Sequence, residues 1–299
     1  MSEYQGPQAS LTKTKWGFYQ YKPNPSEKEL VNFYAKKYYQ QGIGSYETSY
    51  SDEEIAYFRL KARLVIRKCS EFSYSGEEKA FIDIGCGEGW LLDEFYRQGW
   101  NVSGIDFSSY GINKFNPQLL PFFKEGNIYK ILASKIDSGK RYHAISLANV
   151  IEHVIDPAAL LNTIKKIMHK DALLVIIAPN DFSPLHKHLL RKGLIAEKFW
   201  LDYPHHLSYF NKESMTNLLV DLGFRLRTIL AENPIDLNLL NDNSNYIRDR
   251  SKGKATHFFR VRADNFLASI DLEKLLQLYE TLGSMGVGRD LVYYCFLAP

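Results

Sequence analysis

The chain has 299 residues, 45% of them hydrophobic and 24% charged, with a formal net charge of +3. That composition fills the core of a soluble globular protein, and a charge so near balance, with no long basic block, argues against a nucleic-acid partner. The three cysteines (Cys69, Cys86 and Cys295) lack metal-ligand spacing and suit a reducing, cytoplasmic compartment, while neither an apolar signal core nor a membrane-length apolar run is expected anywhere.

In chain order, residues 1–24 read as an irregular lead-in. Pro25, with Ser26 and Glu29 as a capping box, opens a first helix through Leu30, Phe33 and Tyr38. Ser51 and Glu54 repeat the signature, and Ile55, Phe58, Ala62, Val65 and Ile66 follow at spacings of three and four, which predicts a second helix. The tyrosine-rich connection between them fits a lid over a site or ordinary packing against the main body.

From Lys79 the rhythm becomes βα. Strands are expected at 81–84, at 101–106, near 123–129, at 141–149 and at 172–180, the last a continuous apolar run suited to a sheet buried on both faces. Helices are expected over 89–98 and 157–170, with segments broken by Pro117 and Pro121 between the second and third strands. Alternation of this kind predicts an α/β fold with a doubly wound, mainly parallel sheet. After Asn180 the pattern loosens into a stretch rich in histidine and aromatics, followed by a helix over 212–222 capped by Asn211, a strand from Phe224, a polar stretch, one or two helices and a last strand from Asp290. The organisation is read as an N-terminal helical cap or lid over 1–70, a donor-binding core over 71–183, and a substrate-side segment over 184–299 that returns two strands to the sheet.

The glycines at 85, 87 and 89 turn the first strand of this core into a helix and let backbone approach a ligand closely. Their GxGxG spacing, with Asp83 two residues before, suits a cationic nucleoside better than the pyrophosphate of a dinucleotide. Asp106 ends the second strand 21 residues after Gly85, where a carboxylate can hold a ribose diol or cap the following helix. Phe107 fits stacking on an adenine or packing in the core.

The segments FIDIGCGEG, GIDFS and LANVIEHVIDP resemble the motifs of class I S-adenosylmethionine-dependent methyltransferases, in the branch acting on small molecules, over about residues 80–180. The resemblance implies a seven-stranded Rossmann-like sheet that finishes in an antiparallel hairpin, with S-adenosylmethionine as donor and S-adenosylhomocysteine as product. It implies that Gly85, Gly87 and Gly89 shape the loop around the methionine half, that Asp106 holds the ribose and that Phe107 lies on the adenine. Asn127 and Ile128 would edge the adenine, and Asn149 and Val150 would supply backbone beside the methionine. Ubiquinone-pathway O-methyltransferases carry an EVIEHV-like run associated with a divalent metal; here Asn149 stands at the first carboxylate position before Glu152 and His153, an exchange that favours no bound metal. The run PHHLSYFNKESM resembles enzymes that methylate sugars or surface-polysaccharide precursors.

Methyl transfer from a sulfonium is an in-line displacement in which alignment dominates, and a hydroxyl acceptor gains from a nearby base. His153, His205 and His206 are the candidates for that base. Tyr46, Tyr50, His186 and Lys187 are candidates for acceptor binding, Lys187 with Arg191 and Lys192 toward an anionic precursor. The expected function is methylation of a carbohydrate-type hydroxyl, with an isoprenoid or aromatic metabolite as the alternative acceptor. The expected partner is a polar, small-molecule acceptor; the sequence leaves a homodimer open.

Overall fold

Apolar runs without alternation become strands covered on both faces. The computed structural model describes residues 10–22, 49–72 and 79–298. Its centre is β3 (Ala80–Ile84), every residue of which is buried. The chain reaches it through a hairpin of β1 (Ser10–Lys13) and β2 (Tyr19–Lys22) and through helix α1 (Asp52–Ser70). From β3 it runs through α2 (Trp90–Arg97), β4 (Asn101–Asp106), α3 (Tyr110–Phe115), a 3-10 turn at Pro117–Phe122 and β5 (Phe123–Glu125). Then come α4 (Ile128–Asp137), β6 (Tyr142–Ala148), α5 (Pro157–Lys165), β7 (Met168–Pro179), α6 (Pro184–Arg191) and β8 (Ser208–Tyr209). The chain closes with α7 (Lys212–Asp221), β9 (Phe224–Ala231), α8 (Gly253–Ile270), α9 (Leu272–Met285) and β10 (Asp290–Leu297).

Seven strands form one sheet in the order β5-β4-β3-β6-β7-β10-β9. The first five run parallel, and β10 is antiparallel to both β7 and β9. This is the Rossmann-like sheet and closing hairpin that the motifs imply. The order reverses between β3 and β6, so the connections leaving their carboxyl ends diverge and open a crevice.

Two helices predicted from capping are informative. The α1 capping box forms as read, with Ser51 and Glu54 satisfying each other's backbone N–H; α1 then packs on α2 and α8 and buries Leu60, Leu64 and Val65. The helix predicted at 25–38 lies outside the described residues.

The structure corrects the reading elsewhere. The lead-in is not wholly irregular: Ser10–Lys13 and Tyr19–Lys22 pair antiparallel, and β2 adds β8 from nearly two hundred residues away. Strands this short carry little pattern, and their stability comes from tertiary pairing. The third strand stops at Glu125 instead of running on to Tyr129, and helix α4 starts at Ile128 because Asn127 caps it through its side chain. Helix α5 stops at Lys165 rather than Lys170, since Met168 pairs with Tyr142 and draws Met168–Asp171 into β7.

Candidate active site

A cavity of about 930 Å³ occupies the crevice at the carboxyl ends of β3, β4 and β6, near the top of the range of about 300–1,000 Å³ typical of small-molecule sites. One end is built by the glycine turn. Gly85, Gly87 and Gly89 have φ of 76°, 52° and 81°, all in the left-handed region. A Cβ on Gly85 would lie 2.3 Å from Val150 Cγ2, so only bare backbone fits between that side chain and the cavity. Gly85 and Cys86 both donate to the Ile105 carbonyl, at 2.7 and 3.0 Å, and Gly87 donates to Asp106 Oδ2 at 2.9 Å. The turn is thereby tied to the neighbouring strand before any ligand arrives.

Two carboxylates face this end. Asp83 is buried, accepts the Ser146 hydroxyl, and is pushed up to about 7 by burial, with the nearby charge of Asp106 adding to the effect. Asp106 also accepts from the Ser108 N–H at 3.2 Å. Phe107, Asn127 and Ile128 line the cavity beside it, though the Asn127 oxygen is engaged by the N–H groups of Tyr129 and Lys130 as the α4 cap. Asn149 and Val150 also line the cavity. Asn149 takes φ 53°, a left-handed conformation that asparagine tolerates better than most residues, and donates its N–H to the Ile177 carbonyl at 2.9 Å. A bare glycine backbone with two buried carboxyl groups suits a nucleoside bearing a sulfonium and an ammonium group, and so fits S-adenosylmethionine. Gly89 does not line the cavity; it is the N-cap of α2.

The other end is histidine-rich. The backbone carbonyl of Glu152 accepts from both Leu207 (2.8 Å) and Ser208 (3.0 Å). This draws the loop before β8 onto the loop after β6 and brings His153, His205 and His206 together, with ring centroids 4.6–5.0 Å apart. His153 Nδ1 meets the His205 carbonyl at 2.7 Å, and His205 Nδ1 meets Asp202 Oδ2 at 3.1 Å. Because a carbonyl and a carboxylate accept only, both Nδ1 atoms donate, and in each neutral ring Nε2 carries the lone pair. Burial and the neighbouring imidazoles hold His153 well below the usual histidine range, and burial with the charge of His205 lowers His206 to about 4. Glu152 is buried at 1% exposure, and among the described residues its Oε2 has no hydrogen-bond partner. Burial, reinforced by Asp290 and Asp181, pushes it well above the usual carboxylate range.

The acceptor candidates among the described residues are not brought together. Tyr46 lies outside the described residues. Tyr50 donates to Glu88 Oε1 at 2.8 Å, at the glycine turn. His186 is buried away from the cavity, stacked on Trp200 with centroids 4.2 Å apart and bonded through Nε2 to Asp236 at 2.8 Å. Lys187 is exposed on the same helix, α6, which contributes no residue to the cavity wall.

Sequence reasoning missed the wall supplied by the late insertion. Lys61 of α1 pairs with Glu232 at 2.6 Å, while Arg260 of α8 and Arg289, bonded to Asp181 at 3.2 Å, also face the cavity. Phe58 and Trp90 add an aromatic face, and Trp90 donates to Glu88 Oε2 at 2.6 Å. Only the placement of Phe58 on the apolar stripe of α1 hinted at this.

Comparison with known proteins agrees with this geometry. The family described as "Methyltransferase domain" matches residues 56–229, more than half of the chain. A ubiquinone biosynthesis O-methyltransferase of Rhodopseudomonas palustris (strain TIE-1) is 30% identical over 99 residues, 33% of this chain and 39% of that protein. One from Colwellia psychrerythraea (strain 34H / ATCC BAA-681) is 29% identical over 122 residues, 39% of this chain and 47% of that protein. The chain thus spans less than half the length of these relatives. Among solved structures, a SAM-dependent methyltransferase from Archaeoglobus fulgidus superposes with a TM-score of 0.50 at 21% identity, covering 80% of this chain and 94% of that one. The plantazolicin methyltransferase BpumL in complex with SAH gives 0.51 at 15% identity, covering 90% and 94%. Those two likenesses speak for the fold, and the match over residues 56–229 for the family: the chain belongs to the methyltransferase domain family, within the class I S-adenosylmethionine-dependent superfamily.

Proposed function

We propose that the chain methylates a hydroxyl of a small aromatic or isoprenoid-linked acceptor, with S-adenosylmethionine as donor. The observation that carries this reading is that a single cavity is lined by the glycine turn, by His153, His205 and His206, and by the rings of Phe58 and Trp90. The sequence relatives named above, O-methyltransferases of ubiquinone biosynthesis, support this acceptor class over the carbohydrate suggested by the PHHLSYF run.

When bound, the donor supplies a methyl group on a positively charged sulfur, already activated for displacement. The chain's own residues do the rest. The Gly85–Gly89 turn, Asp106 and Asp83 would hold it, with Phe107 and Ile128 against its base and Asn149 and Val150 beside its methionine portion. Phe58 and Trp90 would face the acceptor ring. The imidazoles of His153, His205 and His206 would hold the acceptor oxygen and take up its proton as the new carbon–oxygen bond forms. Alignment of the two ends supplies most of the acceleration, since well-oriented reactants gain roughly 7–11 kcal/mol over the bimolecular reaction.

The test is a panel of catechols, hydroxylated prenyl-aromatics and nucleotide sugars incubated with protein and donor, read as S-adenosylhomocysteine formation and as product gain of one methylene unit by mass spectrometry. Turnover on the phenolic members is expected. Turnover confined to the nucleotide sugars would replace this acceptor with the carbohydrate one.

A further inference from the structure

We propose that His153, His205 and His206 form a three-histidine site for a divalent transition metal of the zinc class, open toward the acceptor end of the cavity. One potential ligand atom from each ring lies within 4.8 Å of the other two. Tetrahedral coordination at about 2.0–2.1 Å would place such nitrogens roughly 3.3 Å apart, so rotation of three side chains on short loops closes the set. The site was expected from sequence to hold no metal, on the ground that Asn149 replaces a carboxylate. That argument concerns a hard, oxygen-ligated cation; the structure instead gathers imidazoles, two of them from a loop 52 residues further along the chain.

Three features beyond proximity favour a metal over a packed histidine cluster. The Nδ1–H of His153 is held by a backbone carbonyl and that of His205 by the Asp202 carboxylate, the outer-shell arrangement that fixes a ring and turns its other nitrogen toward a metal. His206 Nδ1 is buried and, among the described residues, has no hydrogen-bond partner. The rings also sit against one another, half-buried in the cavity wall, where three like groups gain little from packing but would each gain a bond from a shared cation. Imidazole suits zinc, copper, iron and nickel, whereas magnesium and calcium require oxygen. Three protein ligands leave a fourth position for a water or an acceptor hydroxyl. On the reading proposed above, a hydroxyl bound there would release its proton to solvent water before attack, and with metal bound the three rings would act as ligands in place of the base.

The site is tested on the full chain, stripped by chelator and dialysed, by titrating cobalt(II) alone and following visible absorption, with zinc added in competition. One saturable equivalent with the intense absorption of a four-coordinate centre is expected, displaced by zinc. His153→Ala, His205→Ala and His206→Ala should each weaken binding by about 100-fold or more, and Asp202→Ala by about 10–100-fold. His188, whose ring among the described residues is hydrogen-bonded by Arg191, lies outside the cluster, and His188→Ala should bind like the parent. Retained S-adenosylhomocysteine binding marks the variants as folded, and Asp202→Ala, with an exposed side chain, serves if a histidine variant does not fold. Absence of saturable binding to the parent chain, or variants that bind as the parent does, overturns the site. Saturable binding without transfer to any phenolic acceptor would leave the metal site standing and overturn the acceptor reading.

Discussion

The carboxylate that ends β4 also holds the turn that ends β3: Asp106 accepts the Gly87 N–H on Oδ2 at 2.9 Å while its Oδ1 takes the Ser108 N–H at 3.2 Å. A side chain read from sequence as a ribose partner is thus part of the loop's scaffold as well. Asp106→Ala is expected to lower donor affinity at least about tenfold and stability by about 1–3 kcal/mol, because buried donors lose their acceptor. Asp106→Asn keeps the shape and one acceptor oxygen, and should recover more of the stability than of the affinity. Calorimetric titration with S-adenosylhomocysteine and thermal unfolding separate the two; an Ala variant with unchanged affinity removes Asp106 from the donor site.

Asp83 makes the unliganded protein's stability depend on pH. Its unfolded pKa is about 3.9, and burial raises the folded value to about 7. Between those values the folded state keeps a proton that the unfolded chain has lost, so stability falls as pH rises from about 4 to about 7 and levels beyond. Asp83→Asn should flatten part of that slope, leaving the part from Asp181, which burial likewise raises to about 7. Melting temperatures across this range, parent against variant, check the sign; parallel curves would remove Asp83 as a source.

Two glycines test different parts of the fold. In Gly85→Ala the added Cβ meets Val150 at 2.3 Å in a left-handed backbone, and donor binding should be lost. In Gly283→Ala the Cβ meets the Ile229 carbonyl oxygen at 2.3 Å, where α9 crosses β9. That change should cost about 1–3 kcal/mol of stability or more, as overpacking does, with donor affinity in the folded fraction close to the parent's. Equal loss of affinity in both variants would contradict this division.

Tyr50→Phe removes the hydroxyl that binds Glu88 while leaving the rings of Phe58 and Phe115 packed against it at 4.7 and 5.0 Å. Donor affinity should fall by a few-fold, matching one net hydrogen bond of about 0.5–1.5 kcal/mol. Fluorescence titration through Trp90 reads it directly. No change would separate α1's lead-in from the glycine turn energetically.

His186→Ala should destabilise the fold by about 2–4 kcal/mol, since it opens a space against Trp200 and leaves the buried Asp236 with one partner fewer. Turnover per folded molecule is expected to stay within a factor of two or so. A selective rise in KM at constant stability would return this ring to the acceptor site.

The donor end was legible because its signals are local. Glycines at alternate positions, a carboxylate before them and another at the next strand's end sit within 24 residues, and the strand period places each one. The acceptor end depends on contacts that no window spans. His153 was singled out by its motif, and His205 and His206 by composition, yet their convergence is set by two hydrogen bonds to the Glu152 carbonyl. His186 and Lys187 illustrate the converse: a helix of eight residues with Pro184 at its start and leucines at 185, 189 and 190 read as a possible ligand surface, while its buried histidine belonged to Asp236 and Trp200. Arg260 and Arg289 were invisible for the same reason, lying within and at the end of a long insertion whose return path the sequence does not state.

The backbone oxygen of Glu152 has a wider reach than the two amides it receives. Leu207 and Ser208 lead into β8, β8 is paired to β2, and Gln20 of β2 donates to both the Ile155 carbonyl and the Ser208 hydroxyl. Residues from the beginning, middle and later part of the chain are therefore clasped around one loop at the acceptor end, while the glycine turn is braced separately by β4. The two halves of the site can drift independently: substitutions in the hairpin or in the loop before β8 can reshape what is methylated and leave the methyl source untouched.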